Sequence, residues 1–396
     1  LGDVYKRQPQ SKKFGFFPSV AAGWRLSEEN FFKENESLGF ISNLKLKVSW
    51  GRLGNQNIGN YPYQSVYELG QNYPFGDTYT QGAAVTTAVD PTIKWEETET
   101  IDGGLEAVFW NGLLSVNASY FNRRTYDILY KPSGSVSTIL GQKISEMNTG
   151  ELKNFGWEFE VGHRNKIGDV SYNVNANLSI IKNKLTTLGV GNVEQLNGMV
   201  GNGSDLFIGY PIQMYYGYVS DGVFLDENDI KSWYDQSKVT PNPQPGDIRY
   251  RDLNNDGKID VNDVTYIGFP ETPRVTYGFS GFVNYSNFEF SFAFQGSGKR
   301  SFFMDPSELS PFVDDHAMLT AIYEDHWSED NMSRKPFWPR LSTQNLIKHS
   351  PEEDWYNKNA TEVRKSTYFM RECRFLRCTS LELAYNMPKK LMERWG

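Results

Sequence analysis

The sequence predicts an all-β chain: a transmembrane, antiparallel portion of a β-barrel wall, about nine strands long, with long extracellular loops. Three observations predict it. Apolar and polar residues alternate with period 2 in segment after segment, the pattern of strands with one apolar and one polar face. Aromatic residues make up 15% of the 396 residues, with 26 Phe and 23 Tyr, and aromatic side chains favour strands. The connections between segments alternate between short and long, as the two rims of an outer-membrane barrel require.

Nine segments carry the alternation, at 14–26, 44–51, 95–110, 113–126, 151–163, 170–181, 274–285, 287–296 and 370–386. In the second, Leu44, Leu46, Val48 and Trp50 alternate with Lys45, Lys47 and Ser49. In the fourth, Leu114, Val116, Ala118 and Tyr120 alternate with Ser115, Asn117 and Ser119. In the sixth, Val170, Tyr172, Val174, Ala176, Leu178 and Ile180 oppose Ser171, Asn173, Asn175, Asn177 and Ser179. In the eighth, Phe288, Phe290, Phe292 and Phe294 oppose Glu289, Ser291, Ala293 and Gln295. Several segments reach the ~9–11 residues that a tilted strand needs to cross a bilayer. The polar face reads as polar throughout, as a watery lumen would be.

The connections come next. Asn111-Gly112 predicts a two-residue hairpin between the third and fourth segments. The stretch 164–169 is short, and only Ser286 separates the seventh segment from the eighth. The stretches 52–94, 127–150, 182–273 and 297–369 are long, and 27–43 falls on the short side by parity. A compact soluble domain rarely carries repeated long loops.

Bulk properties narrow the function. Mean hydropathy is −0.56. No run of 18 apolar residues occurs, which excludes a helical span and leaves a strand span open. A net charge of −8 argues against nucleic acid as a partner. Cys373 and Cys378, five apart on a strand, are too far from each other to bridge. His163, His316, His326 and His349 are scattered without metal spacing. Glu28–Glu29 and Asp314–Asp315 are adjacent loop carboxylates, and no nucleophile elbow or phosphate loop is present. No enzyme activity is expected. The opening octapeptide, Leu1 to Gln8, reads as translated adapter sequence and is set apart from the fold, which takes residues 9–396.

One motif does carry ligand chemistry. In 252–263, Asp252, Asn254, Asp256, Lys258 (through its carbonyl), Asp260 and Asp263 occupy positions 1, 3, 5, 7, 9 and 12 of a calcium loop, with Gly257 at position 6. Asp replaces the usual bidentate Glu at the end. No amphipathic helices flank it, so the expectation is a structural Ca²⁺ clip that stiffens a long loop. An ion-free turn rich in Asx residues is the alternative.

Longer stretches add specificity. "FGFFPSVAAGWRLSEENFF", "ISNLKLKVSWGRLGNQNIGNYPY", "WEETETIDGGLEAVFWNGLLSVNASYFNRRTYDILY" and "GDIRYRDLNNDGKIDVNDVTYIGFPETPRVTYGFSGFVNYSNFEFSFAFQG" resemble, in this order, the SusC/RagA family of TonB-linked outer-membrane proteins of Bacteroidetes-type bacteria. The resemblance covers essentially all of 11–396. It implies a mid-to-late portion of a 22-stranded barrel whose plug domain and TonB-contact segment lie upstream. It also implies a SusD-like surface lipoprotein as a lid, outer-membrane lipid around the wall, and import of oligosaccharides or peptides.

Two other readings stay open. One is a soluble, calcium-stapled β-sandwich that binds glycan. The other, ranked below it, is a siderophore or cobalamin receptor with the same barrel. The loop aromatics Tyr215, Tyr216, Trp233, Tyr234, Trp327, Trp338, Trp355 and Tyr356 could stack on sugar rings or pack the loops together.

Overall fold

A computed structural model describes residues 7–131, 141–189, 192–195, 198–202, 206–312, 317–341 and 365–388. Asp314, Asp315, His316, His349, Trp355 and Tyr356 lie outside the described residues.

Nine long strands form one antiparallel sheet in strict chain order. They are β1 (Ser19–Arg25), β2 (Ile41–Asn55), β3 (Glu96–Phe109), β4 (Leu114–Tyr130), β5 (Met147–Ile167), β6 (Val170–Thr187), β7 (Val275–Tyr285), β8 (Phe288–Ser297) and β9 (Phe375–Tyr385). Each corresponds to one of the nine alternating segments. Because every neighbour is antiparallel, the connections 26–40, 110–113, 168–169 and 286–287 fall on one rim, and 56–95, 131–146, 188–274 and 298–374 fall on the other.

The register carries the alternation across the sheet. Trp24 pairs with Leu46, Leu46 with Leu105 and Leu105 with Ala118. The row continues through Phe159, Leu178 and Tyr277. On the far strands Phe292 pairs with Leu381 and Phe290 with Leu383. One face is therefore apolar from edge to edge. It is also open: Val20, Trp24, Val48, Ile101, Trp157, Phe288, Leu381 and Leu383 on this face are about half exposed or more. Such an apolar expanse is far larger than a soluble monomer shows. From Val170 to Ile180, at ~3.3 Å per residue and a ~35–45° tilt, the apolar stripe of β6 rises ~25 Å, the height of an outer-membrane apolar band.

The structure corrects several boundaries. β1 starts at Ser19, not at residue 14. The hairpin at Asn111-Gly112 is not a two-residue turn: Phe109 pairs with Leu114, and the link is Trp110–Leu113, with Trp110, Asn111 and Gly112 all at positive φ. The β5–β6 link shrinks to Gly168-Asp169, where Gly168 has φ 60°, because alternation continues to Ile167. The β7–β8 turn takes Ser286 and Asn287, with Ser286 at φ 53°. The second face is not polar throughout. Phe121 and Ile181 stand on it as the register partners of Gly156, and Phe282 stands on it opposite Asn173. Gly156 has no side chain to fill its place on that face, so apolar neighbours there cover backbone.

The dense core is not in the sheet. Tyr215, Tyr218, Val223, Ile248, Tyr250, Ile259, Val264, Phe303, Ile322, Trp338 and Phe369 form one buried cluster built from 188–274 and 298–374 together. The two longest loops thus fold on each other as a packed cap. A barrel wall has no such core, because its two faces meet lipid and lumen.

Candidate functional site

The candidate site has two parts, the second face of the sheet and the cap. On the second face the short strand-to-strand spacing lets side chains pair across neighbours. Lys47 Nζ reaches Glu106 Oε1 at 2.9 Å, with Lys45 at 3.7 Å from the other oxygen. Ser49 Oγ donates to Asp102 at 3.2 Å, and Asn117 Nδ2 donates to Glu160 at 3.2 Å. Asn175 and Asn177 are exposed here, opposite Gly162 and Glu160. A Cβ on Gly162 would come within 2.6 Å of Ser115 Oγ and 2.9 Å of Asn175 Oδ1, so its absence leaves room for both polar groups. This face offers amides, hydroxyls and paired charges to water or to a polar solute.

In the cap, a chain of charges joins the two loops. Arg249 donates to Asp221 and to Asp229, and its guanidinium lies 3.9 Å from the Trp233 ring centre. Arg334 donates to the second oxygen of Asp229 at 2.9 Å. Arg340 Nε donates to the buried Asp247 at 2.6 Å. Burial pulls the Asp221 and Asp229 carboxyls up, but hydrogen bonds and the arginine charges outweigh it and hold both below their ordinary value. Tyr368 OH donates to Pro336 O at 2.7 Å, and burial pushes its phenol up. None of these pairs was legible in the sequence. Asp229 and Arg334 are 105 residues apart, and no local spacing signals such a contact.

The loop aromatics mostly pack. Trp338 and Tyr215 are buried, and Tyr216, Trp233 and Trp327 lean on the same cluster, whereas Tyr234 is 46% exposed. His163 does not end its strand. It sits within β5, with its ring 5.5 Å from that of Tyr172. Cys373 and Cys378 are both free thiols.

The 252–263 loop folds as a series of side-chain-capped turns. Asp252 accepts from the Asn255 and Gly257 amides, Asn254 from Asp256, Asp256 from Lys258, and Asp260 from Asn262. Asp263 is buried and accepts from Leu253, Asn254 and Asp260, closing a capping box with Asp260. Gly257 takes φ 84°, the left-handed turn expected of position 6. The Lys258 backbone lies beside Asp235 in an isolated bridge. Burial pushes the Asp263 carboxyl up. Among the described residues, no three His, Cys, Asp or Glu side chains are grouped as a metal site. The turn order of an oxygen-donor loop is thus present, while its carboxylates are spent on backbone amides.

Comparison with known proteins gives a consistent relationship. The family profile described as TonB dependent receptor-like, beta-barrel, matches residues 2–308. TonB-dependent receptor P26 of Formosa agariphila is 27% identical over 95% of this chain and 36% of its own length. TonB-dependent receptor SusC of Bacteroides thetaiotaomicron is 27% identical over 97% of this chain and 35% of its own length. Among solved structures, the RagAB peptide importer in its open-open state superposes with a TM-score of 0.68 at 22% identity, over 98% of this chain and 38% of that one. The chain therefore spans a little over a third of the length of the proteins it matches.

Proposed function

The chain belongs to the TonB dependent receptor-like β-barrel family, and on that premise we propose that it forms part of the wall and loops of an outer-membrane importer of nutrient oligomers. The observation that carries this reading is the single apolar face running through all nine strands with an amide- and hydroxyl-bearing face behind it. In a β-sandwich those phenylalanines would be covered. Here Phe288 and Leu383 are open. The wall lies in the outer membrane of a Gram-negative, Bacteroidetes-type cell, and the long-loop rim faces outward.

A SusD-like lipoprotein closes over that rim, and TonB acts through a plug outside the span of this chain. The cargo class is oligosaccharide. A surface of Asn173, Asn175, Asn177 and Ser115 suits a neutral, hydroxyl-rich solute. Peptide cargo is the alternative that uptake assays with labelled oligosaccharides and oligopeptides separate. The first experiment is fractionation. The chain is expected in the outer-membrane fraction, extractable only with detergent, and recovery as a monodisperse protein in plain buffer overturns the reading in favour of a soluble module.

Within the cap, the 252–263 loop is a structural Ca²⁺ clip. Asp252, Asn254, Asp256, Asp260 and Asp263 would supply side-chain oxygens and Lys258 its carbonyl, with affinity in the weak ~10⁻⁴–10⁻³ M range of extracellular modules. Support comes from the Gly257 turn and the ordered side-chain turns before and after it. Calcium should slow proteolysis in this loop, and the Asp252→Ala, Asp256→Ala variant should lose that protection. Equal cleavage in all conditions rules the clip out.

A further inference from the structure

Above the apolar band the sheet carries an unusual juxtaposition. On β4, β5 and β6 the row Tyr120–Trp157–Ile180 is the last one dominated by apolar side chains, with the Tyr120 and Trp157 rings 5.0 Å apart. One step toward the long-loop rim, on the same face, stand Asn122, Phe155 and Lys182. One step further stand Arg124, Lys153 and Lys184, side by side on three adjacent strands. Like charges directly opposite each other across a strand pair are destabilising. Here Lys153 has a cation opposite it on both sides.

The acidic groups nearby do not cancel the row. Arg124 is held by both oxygens of Glu151, at 2.9 and 2.7 Å. Glu99, opposite Arg124, is also shared with Arg52 and with the Trp50 indole. Among the described residues, Lys182 and Lys184 are exposed and make no ion pair, while the charge of Lys153 acts on Glu151 alongside that of Arg124. Among the described residues, Lys182 and Lys184 thus stand without an acidic partner, and Lys153 shares Glu151 with Arg124, one to two steps above the aromatic pair where the apolar band ends.

We propose that Lys153, Lys182 and Lys184, with Arg124 beside them, form a binding site for the phosphorylated head group of an outer-leaflet glycolipid, whose acyl chains lie against Trp157, Phe159 and Ile180. The occupant follows from position and charge together. Side chains on this face below the row meet hydrocarbon, so an anion reaching the lysines from that side carries an acyl chain. Lysines at such a boundary extend their stems along the apolar surface and place their ammonium groups at head-group height. Occupancy by phosphate also relieves the repulsion between Lys153 and Lys184. This inference rests on the outer-membrane reading above.

The test uses the detergent-extracted chain and titrates it with three probes: diphosphorylated lipid A, its dephosphorylated form, and inorganic phosphate. The wild type should bind the diphosphorylated lipid in preference to the other two. The K153Q/K182Q/K184Q variant should bind it ~100-fold more weakly, at ~5-fold per lysine. The K153R/K182R/K184R variant should restore binding, which separates charge from folding. Equal affinity of wild type and glutamine variant for the diphosphorylated lipid overturns the site. So does equal binding of inorganic phosphate, which would make it a general anion patch. Recovery of the wild type without detergent overturns the membrane reading, and is distinguishable because it is scored before any titration.

Discussion

Arg340 donates through Nε to a carboxylate oxygen of Asp247, at 2.6 Å, and so ties the second long loop to the first at a point where Asp247 is fully buried. Asp247 also accepts the Gln244 amide through its other oxygen. Removing the guanidinium leaves a buried charge short of its cation, a loss of ~3–5 kcal/mol in comparable cases. Arg340→Met should therefore open the cap to protease within 188–274 and 298–374. Pairing it with Asp247→Asn should recover part of the protection, because the buried charge that Arg340 faced is then gone. Limited proteolysis of the wild type and the two variants checks this. Unchanged cleavage in Arg340→Met would place the cap's stability elsewhere.

The same network sets a pH limit. Burial raises the Asp221 carboxyl, but hydrogen bonds and charge from Arg251 and Arg249 lower it further. At Asp229 the Leu225 amide, Arg334 and Arg249 do the same. A group whose folded value lies below its unfolded value of ~3.9 contributes stability that is fully present above that pH. The contribution is lost as pH falls through the folded value. The cap should hold from neutral pH down to about 4 and loosen below it. An Asp221→Asn, Asp229→Asn variant should be less stable at pH 7 and show a flatter acid limb. The check is tryptophan fluorescence of the cap against pH. An acid limb of the same steepness in the variant would remove these two groups from the account.

How much of this was readable in advance depends on where each residue sits. The nine strands were readable because lipid on one side and water on the other impose period 2 on segments such as 170–180. Their ends were not. Beyond Asn122 and Phe155 both faces turn polar, as at Arg124 and Lys153, and alternation ceases while pairing runs on to Tyr130 and Met147. The cap was announced only as an excess of loop aromatics. Trp338 and Tyr250 become a core through contacts between distant segments, which no period encodes. The 252–263 loop was legible as turns, since Asp and Asn at alternate positions cap the backbone amides that follow them. The spacing could not reveal that Asp263 would be buried.

Gly156 and Gly103 make the last comparison, because a methyl group would meet backbone at one and open space at the other. Both lie within the wall, on β5 and β3. A Cβ on Gly156 would stand 2.3 Å from the Ile180 carbonyl oxygen and 3.1 Å from Ile181 Cα, both backbone atoms of β6. Backbone cannot rotate aside, so Gly156→Ala must push β5 and β6 apart at a register otherwise unbroken from Leu152 to Ile167. Overpacking of this kind costs ~1–3 kcal/mol. A Cβ on Gly103 meets nothing within 4 Å and projects to the apolar face beside Val48 and Tyr120. Gly103→Ala should be neutral or gain up to ~1 kcal/mol from reduced chain freedom in the unfolded state. Denaturant unfolding in detergent micelles, read by tryptophan fluorescence, should rank Gly103→Ala at or above the wild type and Gly156→Ala below it. The reverse ranking would mean that the β5–β6 register described here is wrong.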